Sequence, residues 1–188
     1  MEAFLISITT VAVAEIGDRT QLLALVLAAR YRRPLPIIAG ILCATLANHA
    51  AAAIVGIWFG SLLKPRVLEV IVGASMIAMA LWTLKPDKLD ESTSAAGARG
   101  AFLATLTSFF IAEIGDKTQI ATLALAAAYP NLLAVVAGTT TGMLLANVPV
   151  VILGKAFADR LPLQAIRYVA AALFLVLGVL FLGRALWR

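Results

Sequence analysis

Apolar residues run almost without interruption over about residues 3–29, 35–63, 67–84, 100–128, 132–153 and 165–183. Each run is near or above the ~20 residues an α-helix needs to cross a bilayer, so the pattern predicts six transmembrane helices joined by short loops. The breaks carry helix-ending chemistry: Arg30 to Pro36, Lys64-Pro65-Arg66, Tyr129-Pro130-Asn131 and Asp159 to Pro162. Lys85 to Gly100 is the longest break and combines Ser, Gly and mixed charge, so it reads as a flexible linker. The opening Met-Glu-Ala-Phe has no basic segment and the first apolar run contains charges, so no cleavable targeting segment is expected.

Offsetting the chain by 98 residues lays Ala14-Glu15-Ile16-Gly17-Asp18-Arg19-Thr20-Gln21 on Ala112-Glu113-Ile114-Gly115-Asp116-Lys117-Thr118-Gln119, with one conservative difference. The match continues through Ala28-Ala29 on Ala126-Ala127, Tyr31 on Tyr129 and Gly40 on Gly138, then Ala47-Asn48 on Ala146-Asn147 after a one-residue slip. The chain is thus a duplicated three-helix unit: residues 1–84, a linker over 85–99, and residues 100–188. Because three is odd, the second copy must enter the membrane from the opposite side. An all-α integral membrane fold of two inverted-topology repeats, the architecture of secondary transporters, is expected.

Composition narrows the picture. Hydrophobic residues make up 62% and charged residues 13%, and the mean hydropathy is +0.99, which excludes an ordinary soluble domain. The formal net charge of +5 does not point to nucleic acid, because in a membrane protein excess Lys and Arg mark loops that face anionic lipid. Outside the two motifs, Arg30, Arg32, Arg33, Lys85, Lys88, Arg99, Lys155, Arg160 and Arg167 fall on one side of the six-helix scheme, and Lys64, Arg66, Arg184 and Arg188 on the other. That bias places the linker in the cytoplasm and both termini outside. The single Cys43 excludes a disulfide within the chain or a Cys-rich zinc site; within an apolar run it reads as a small buried residue.

The chemistry concentrates in the repeated motif. Glu15, Asp18 and Arg19, and again Glu113, Asp116 and Lys117, stand near the middle of the first and fourth predicted helices. A charge at the bilayer centre costs about 2.5–3.5 kcal/mol on insertion scales, so six are tolerable only if they face one another or water. At ~100° per residue, positions 15, 18 and 19 share one helix face, which is therefore expected to point inward. Gly17 and Gly115 allow a kink or loosened carbonyls there. One account makes these charges two internal ion pairs, Glu15 with Arg19 and Glu113 with Lys117, at i, i+4 spacing. It leaves Asp18 and Asp116 unexplained: four acids against two bases leave a formal charge of −2, which suits a divalent cation. With Thr20, Gln21, Thr118, Gln119, Asn48 and Asn147 as neutral oxygens, the set fits Ca²⁺, Mn²⁺ or Mg²⁺. Softer metals are disfavoured because the only His and only Cys do not recur in the second repeat.

His49 beside Asn48 is a possible proton relay or nitrogen ligand, but its counterpart is Val148, so symmetry lends it no support. Thr139 to Thr141 are expected to bond their own helix backbone, and Gly40, Gly56, Gly73, Gly138 and Gly142 to mark close helix packing.

Two copies of Glu-x-Gly-Asp-(Lys/Arg)-Thr opening two inverted three-helix repeats resemble the signature of a small cation antiporter family that includes Golgi, thylakoid and bacterial manganese or calcium exchangers. The resemblance covers essentially the whole chain. It implies an exporter of Mn²⁺ or Ca²⁺ driven by counter-ion exchange, with Glu15, Asp18, Glu113 and Asp116 as cation ligands and no cofactor beyond the transported ion. It also implies the bacterial cytoplasmic membrane, since compact members resemble bacterial manganese exporters.

Three other functions compete. A passive cation channel also uses acidic rings, but inverted repeats favour alternating access. An intramembrane aspartyl protease is weakened by Arg19 and Lys117, which hold the acids ionised whereas a protease dyad shares a proton. An organic-solute exporter leaves the carboxylates without a matching charge. Charge balance adds a coupling: a bound divalent ion neutralises −2, and two protons do the same for the returning site, so H⁺, or Na⁺ in its place, is the expected counter-ion.

Overall fold

The computed structural model describes residues 1–85, 100–129, 131–154 and 162–187. Among the described residues the fold is all-helical: α1 (Glu2–Glu15), α2 (Arg19–Tyr31), α3 (Pro34–Leu62), α4 (Pro65–Thr83), α5 (Ala101–Glu113), α6 (Lys117–Ala128), α7 (Leu132–Leu153) and α8 (Leu163–Trp187). Helices α3, α4, α7 and α8 are each long and apolar enough to cross a membrane. Apart from Lys85, the linker assigned to 85–99 lies outside the described residues, as do Pro130, Asp159 and, from the orientation argument, Lys88, Arg99, Lys155, Arg160 and Arg188.

The expected continuous helices over 3–29 and 100–128 are a correction. Each is broken at the motif into two half-helices. Ile16 is extended (φ −66°, ψ 120°), Gly17 has φ +82°, and the Asp18 N–H donates to the Glu15 carbonyl at 3.0 Å. Ile114 (φ −64°, ψ 119°), Gly115 (φ +73°) and the 3.1 Å bond from Asp116 N–H to the Glu113 carbonyl repeat it. This is a type II β-turn, which requires positive φ at its third residue and so selects Gly there. Asp18 and Asp116 are then the N-cap residues of α2 and α6, a position Asp favours. Gln21 and Gln119 brace the turns, their Oε1 atoms accepting from Gly17 N–H at 2.8 Å and Gly115 N–H at 2.7 Å. Because a left-handed conformation costs an L-residue about 1–2 kcal/mol, Gly17→Ala and Gly115→Ala are each expected to lose about that much stability. Thermal unfolding in detergent checks this; unchanged melting would mean that the motif does not need the turn.

Packing interleaves the two repeats: α1 lies on α7 and α5 on α3, α6 on α3 and α2 on α7, with α3 against α7 and α4 against α8. The duplication shows at atomic level. A Cβ on Gly40 would meet the Thr105 side chain at 2.7 Å and the Phe102 carbonyl at 2.9 Å; a Cβ on Gly138 would meet the Phe4 carbonyl at 2.7 Å and Ser7 at 2.8 Å. Phe4 and Ser7 precede Phe102 and Thr105 by the repeat offset of 98, so one close crossing is built twice.

Many large apolar side chains face outward, and the motif charges are enclosed within a mainly apolar interior. Leu42, Ile54, Trp58, Leu81, Ile111 and Ile152 are exposed, while Glu15, Asp18, Glu113, Asp116 and Lys117 are buried. Cys43 is also exposed, which corrects the expectation of a buried residue; it shares the outward face of α3 with Leu42 and Leu46.

Candidate functional site

The site forms where the two turns meet. Its acids are placed by helix ends: Glu15 and Glu113 close α1 and α5, and Asp18 and Asp116 cap α2 and α6. The positive N-terminal dipoles of α2 and α6 favour the Asp carboxylates, and the negative C-terminal ends of α1 and α5 favour a cation between them. The shared face inferred from regular helical spacing thus arises from two turns instead.

The ion pairing also differs from the local i, i+4 scheme. Arg19 Nη2 lies 3.1 Å from Asp116 Oδ1, and Lys117 Nζ lies 2.9 Å from Asp18 Oδ1. Each base pairs with the Asp of the other repeat, so the bridges hold the two turns together. They are not equivalent: the Lys117 side chain is 4% exposed and that of Arg19 35%. Arg19 Nη2 also donates to the Ala112 carbonyl at 2.7 Å.

Carboxylate oxygens of Glu15, Asp18 and Asp116 all lie within 4.8 Å of one another, and all three residues are buried. Oxygens bound to one ion at ~2.4 Å can stand at most ~4.8 Å apart, so the spacing fits a single oxygen-liganded cation. Neither Glu15 oxygen has a hydrogen-bond partner, which leaves both lone-pair sets available in a place where an unsatisfied carboxylate is costly. Glu113 stands outside this group of three. Its Oε2 lies 3.2 Å from Thr118 Oγ1, which is also 3.2 Å from Asp116 Oδ2, so Thr118 links the fourth acid to the cluster.

The neutral candidates divide. Gln21 spends Oε1 on its turn and Nε2 on the Ala146 carbonyl at 2.9 Å, and Gln119 likewise spends Oε1 on its turn; both are braces. Asn48 Nδ2 donates to the Phe110 carbonyl at 3.1 Å, and Asn147 Nδ2 to that of Met143 at 3.0 Å. Thr20 Oγ1 and Asn147 Oδ1 are buried without a hydrogen-bond partner, so they remain free to turn to a ligand. Thr139 and Thr141 bond the carbonyls of Val136 and Ala137 in their own helix, whereas Thr140 Oγ1 has no partner.

His49, which repeat symmetry did not support, is at the site: it is fully buried, with Nε2 3.8 Å from Glu113 Oε2. The signal in the sequence was its position next to Asn48, one residue from a repeated polar pair.

A family model described as "Divalent cation/proton antiporter GDT1" matches residues 3–91 and 101–187. Similar proteins include one from Vibrio cholerae serotype O1 named "Putative manganese exporter", 56% identical over 180 residues that cover 95% of this chain and 90% of the relative. A "GDT1-like protein" of Synechocystis is 28% identical over 203 residues, covering 95% of this chain and 96% of the relative. No solved structure matches.

Proposed function

We propose that this chain, which belongs to the GDT1 family of divalent cation/proton antiporters, exports divalent metal, Mn²⁺ first and Ca²⁺ second, from the cytoplasm across the bacterial cytoplasmic membrane in exchange for protons. The observation that carries this is the buried group of Glu15, Asp18 and Asp116 at the meeting of two interrupted helices. Half-helices α1 with α2 and α5 with α6 each make one broken span, completing six spans in two inverted repeats, with both termini outside and the 85–99 linker in the cytoplasm. Irregular backbone at membrane depth is tolerated where it lines a cavity or is buried in protein, which suits two turns that face each other.

Glu15, Asp18 and Asp116 hold the ion and Glu113 supplies the fourth charge through Thr118, with Thr20 and Asn147 adding neutral oxygens. Arg19 and Lys117 offset two of the four charges, leaving −2 to match one divalent ion. Once metal has left, two protons on the carboxylates restore neutrality, so the site recrosses without an uncompensated charge. Alternating access follows if the two crossed bridges open in turn, and the more exposed Arg19 bridge is the side nearer opening here.

Purified protein in liposomes, given Mn²⁺, Ca²⁺ and Mg²⁺ in turn under imposed proton or sodium gradients, tests this reading. Mn²⁺ is expected to move fastest and to respond to the proton gradient. Equal rates without any gradient dependence would instead indicate a channel.

A further inference from the structure

His49 has no place in a site built only from carboxylates. It is 0% exposed, both ring nitrogens lack a hydrogen-bond partner, and no repeat equivalent exists, Val148 standing in its position. A buried imidazole with neither nitrogen satisfied is costly, and such a group in a native interior calls for an explanation. Across from it is Glu113, the acid that stands outside the group of three.

The separation is informative. At 3.8 Å, Nε2 and Oε2 are too far apart for a hydrogen bond. Two donors each ~2.2 Å from one ion stand roughly 3.1 Å apart at a right angle and roughly 4.4 Å apart across it. The observed distance lies between these limits, so one ion can take both atoms. Thr118 then joins this arm to Asp116, its hydroxyl lying 3.2 Å from both carboxylates.

Resting on the divalent-cation site proposed above, we propose that the juxtaposed His49 and Glu113, which stand beside the group of three rather than within it, close onto its ion as a nitrogen-containing arm that selects Mn²⁺ over Ca²⁺ and Mg²⁺. The chemistry follows from donor type. Carboxylate and carbonyl oxygens suit Mg²⁺, Ca²⁺ and Mn²⁺ alike, whereas a nitrogen donor is foreign to the hard Mg²⁺ and Ca²⁺ and is accepted by first-row transition ions, Mn²⁺ being the weakest binder among them. A single nitrogen among oxygens leaves the site labile enough for release while setting Mn²⁺ apart from the two abundant hard cations. Only the first repeat carries it, so discrimination is built into one half of an otherwise duplicated centre.

The test is equilibrium Mn²⁺ binding to the full-length protein in detergent, read by electron paramagnetic resonance of free Mn²⁺ and competed with Ca²⁺ and Mg²⁺. Wild type is compared with His49→Val, which installs the residue of the second repeat, and with His49→Gln, which keeps polarity and size. Both variants are expected to weaken Mn²⁺ binding by about tenfold while Ca²⁺ inhibition stays within about twofold, so that the selectivity ratio collapses. Pulsed measurements on bound Mn²⁺ should show the nuclear modulation of one ¹⁴N in wild type and none in His49→Val. Absence of nitrogen modulation in wild type overturns the proposal, even if neither variant folds. Equal weakening for Mn²⁺ and Ca²⁺ also overturns it, since that is the mark of a packing role. Wild-type protein that binds no Mn²⁺ contradicts the cation site itself, and this arm with it; Mn²⁺ bound without nitrogen contradicts the arm alone.

Discussion

Asp116→Asn is expected to lower Mn²⁺ transport by at least about a hundredfold while folded protein still reaches the membrane. Asn keeps the size and N-cap capacity of Asp, so the turn and the start of α6 survive. What is lost is one of three converging carboxylate charges, together with the ionic bond to Arg19 Nη2 at 3.1 Å. Truncating one charged contact to a buried bound partner costs about 2–5 kcal/mol of binding, and ~2.7 kcal/mol already corresponds to a hundredfold. Asp18→Asn should behave alike, because Asp18 holds the same position in the other repeat and pairs with Lys117. Transport assays on purified variants, with melting curves to confirm folding, decide the matter. Near-wild-type rates in either variant would remove that Asp from the ligand set.

Stability should respond unequally to the two bases, although sequence makes them equivalent. Lys117→Gln takes the ammonium away from Asp18 in a nearly water-free setting, and a stability loss of about 3–5 kcal/mol is expected. Arg19→Gln breaks a bridge whose basic end is 35% exposed, where solvent screening leaves a loss of about 1 kcal/mol or less. In the double variant Asp18→Asn with Lys117→Gln, both ends are neutral, so much of the stability should return while transport does not. Unfolding of all four proteins in detergent measures this. Equal losses for the two single variants would contradict the asymmetry of the bridges.

How much was legible in sequence depended on whether a feature was local, repeated or relational. Long apolar runs identified α3, α4, α7 and α8 because hydropathy alone distinguishes them, and the duplicated octapeptide marked the charged centre because repetition stands out without any structure. The break at each motif was harder to read. Apolar flanks on both sides of Ile16-Gly17 continue the pattern, so the turn is signalled only by Gly followed by a capping Asp, which also fits a kinked helix. The competing account of local ion pairs rests on i, i+4 spacing, a rule for continuous helix that fails once three residues leave it. Arg19 with Asp116 and Lys117 with Asp18 are about a hundred residues apart, and only the crossing of two turns brings them together. Repetition is silent on His49: symmetry lends no support to a residue that breaks it, and its placement 3.8 Å from Glu113 comes from α3, an element outside the motif. Cys43 shows a similar limit, since an apolar run in a membrane helix does not reveal which face meets lipid.

The central claim, that a charge-matched site exchanges one divalent ion for protons, is tested most directly by recording Mn²⁺ and H⁺ movement together in sealed liposomes loaded with Mn²⁺, with the membrane potential clamped. The account predicts that Mn²⁺ efflux acidifies the lumen by about two protons per ion, is accelerated by outside acid and is insensitive to the clamped potential. Mn²⁺ efflux without proton entry, indifferent to the pH difference, would contradict it.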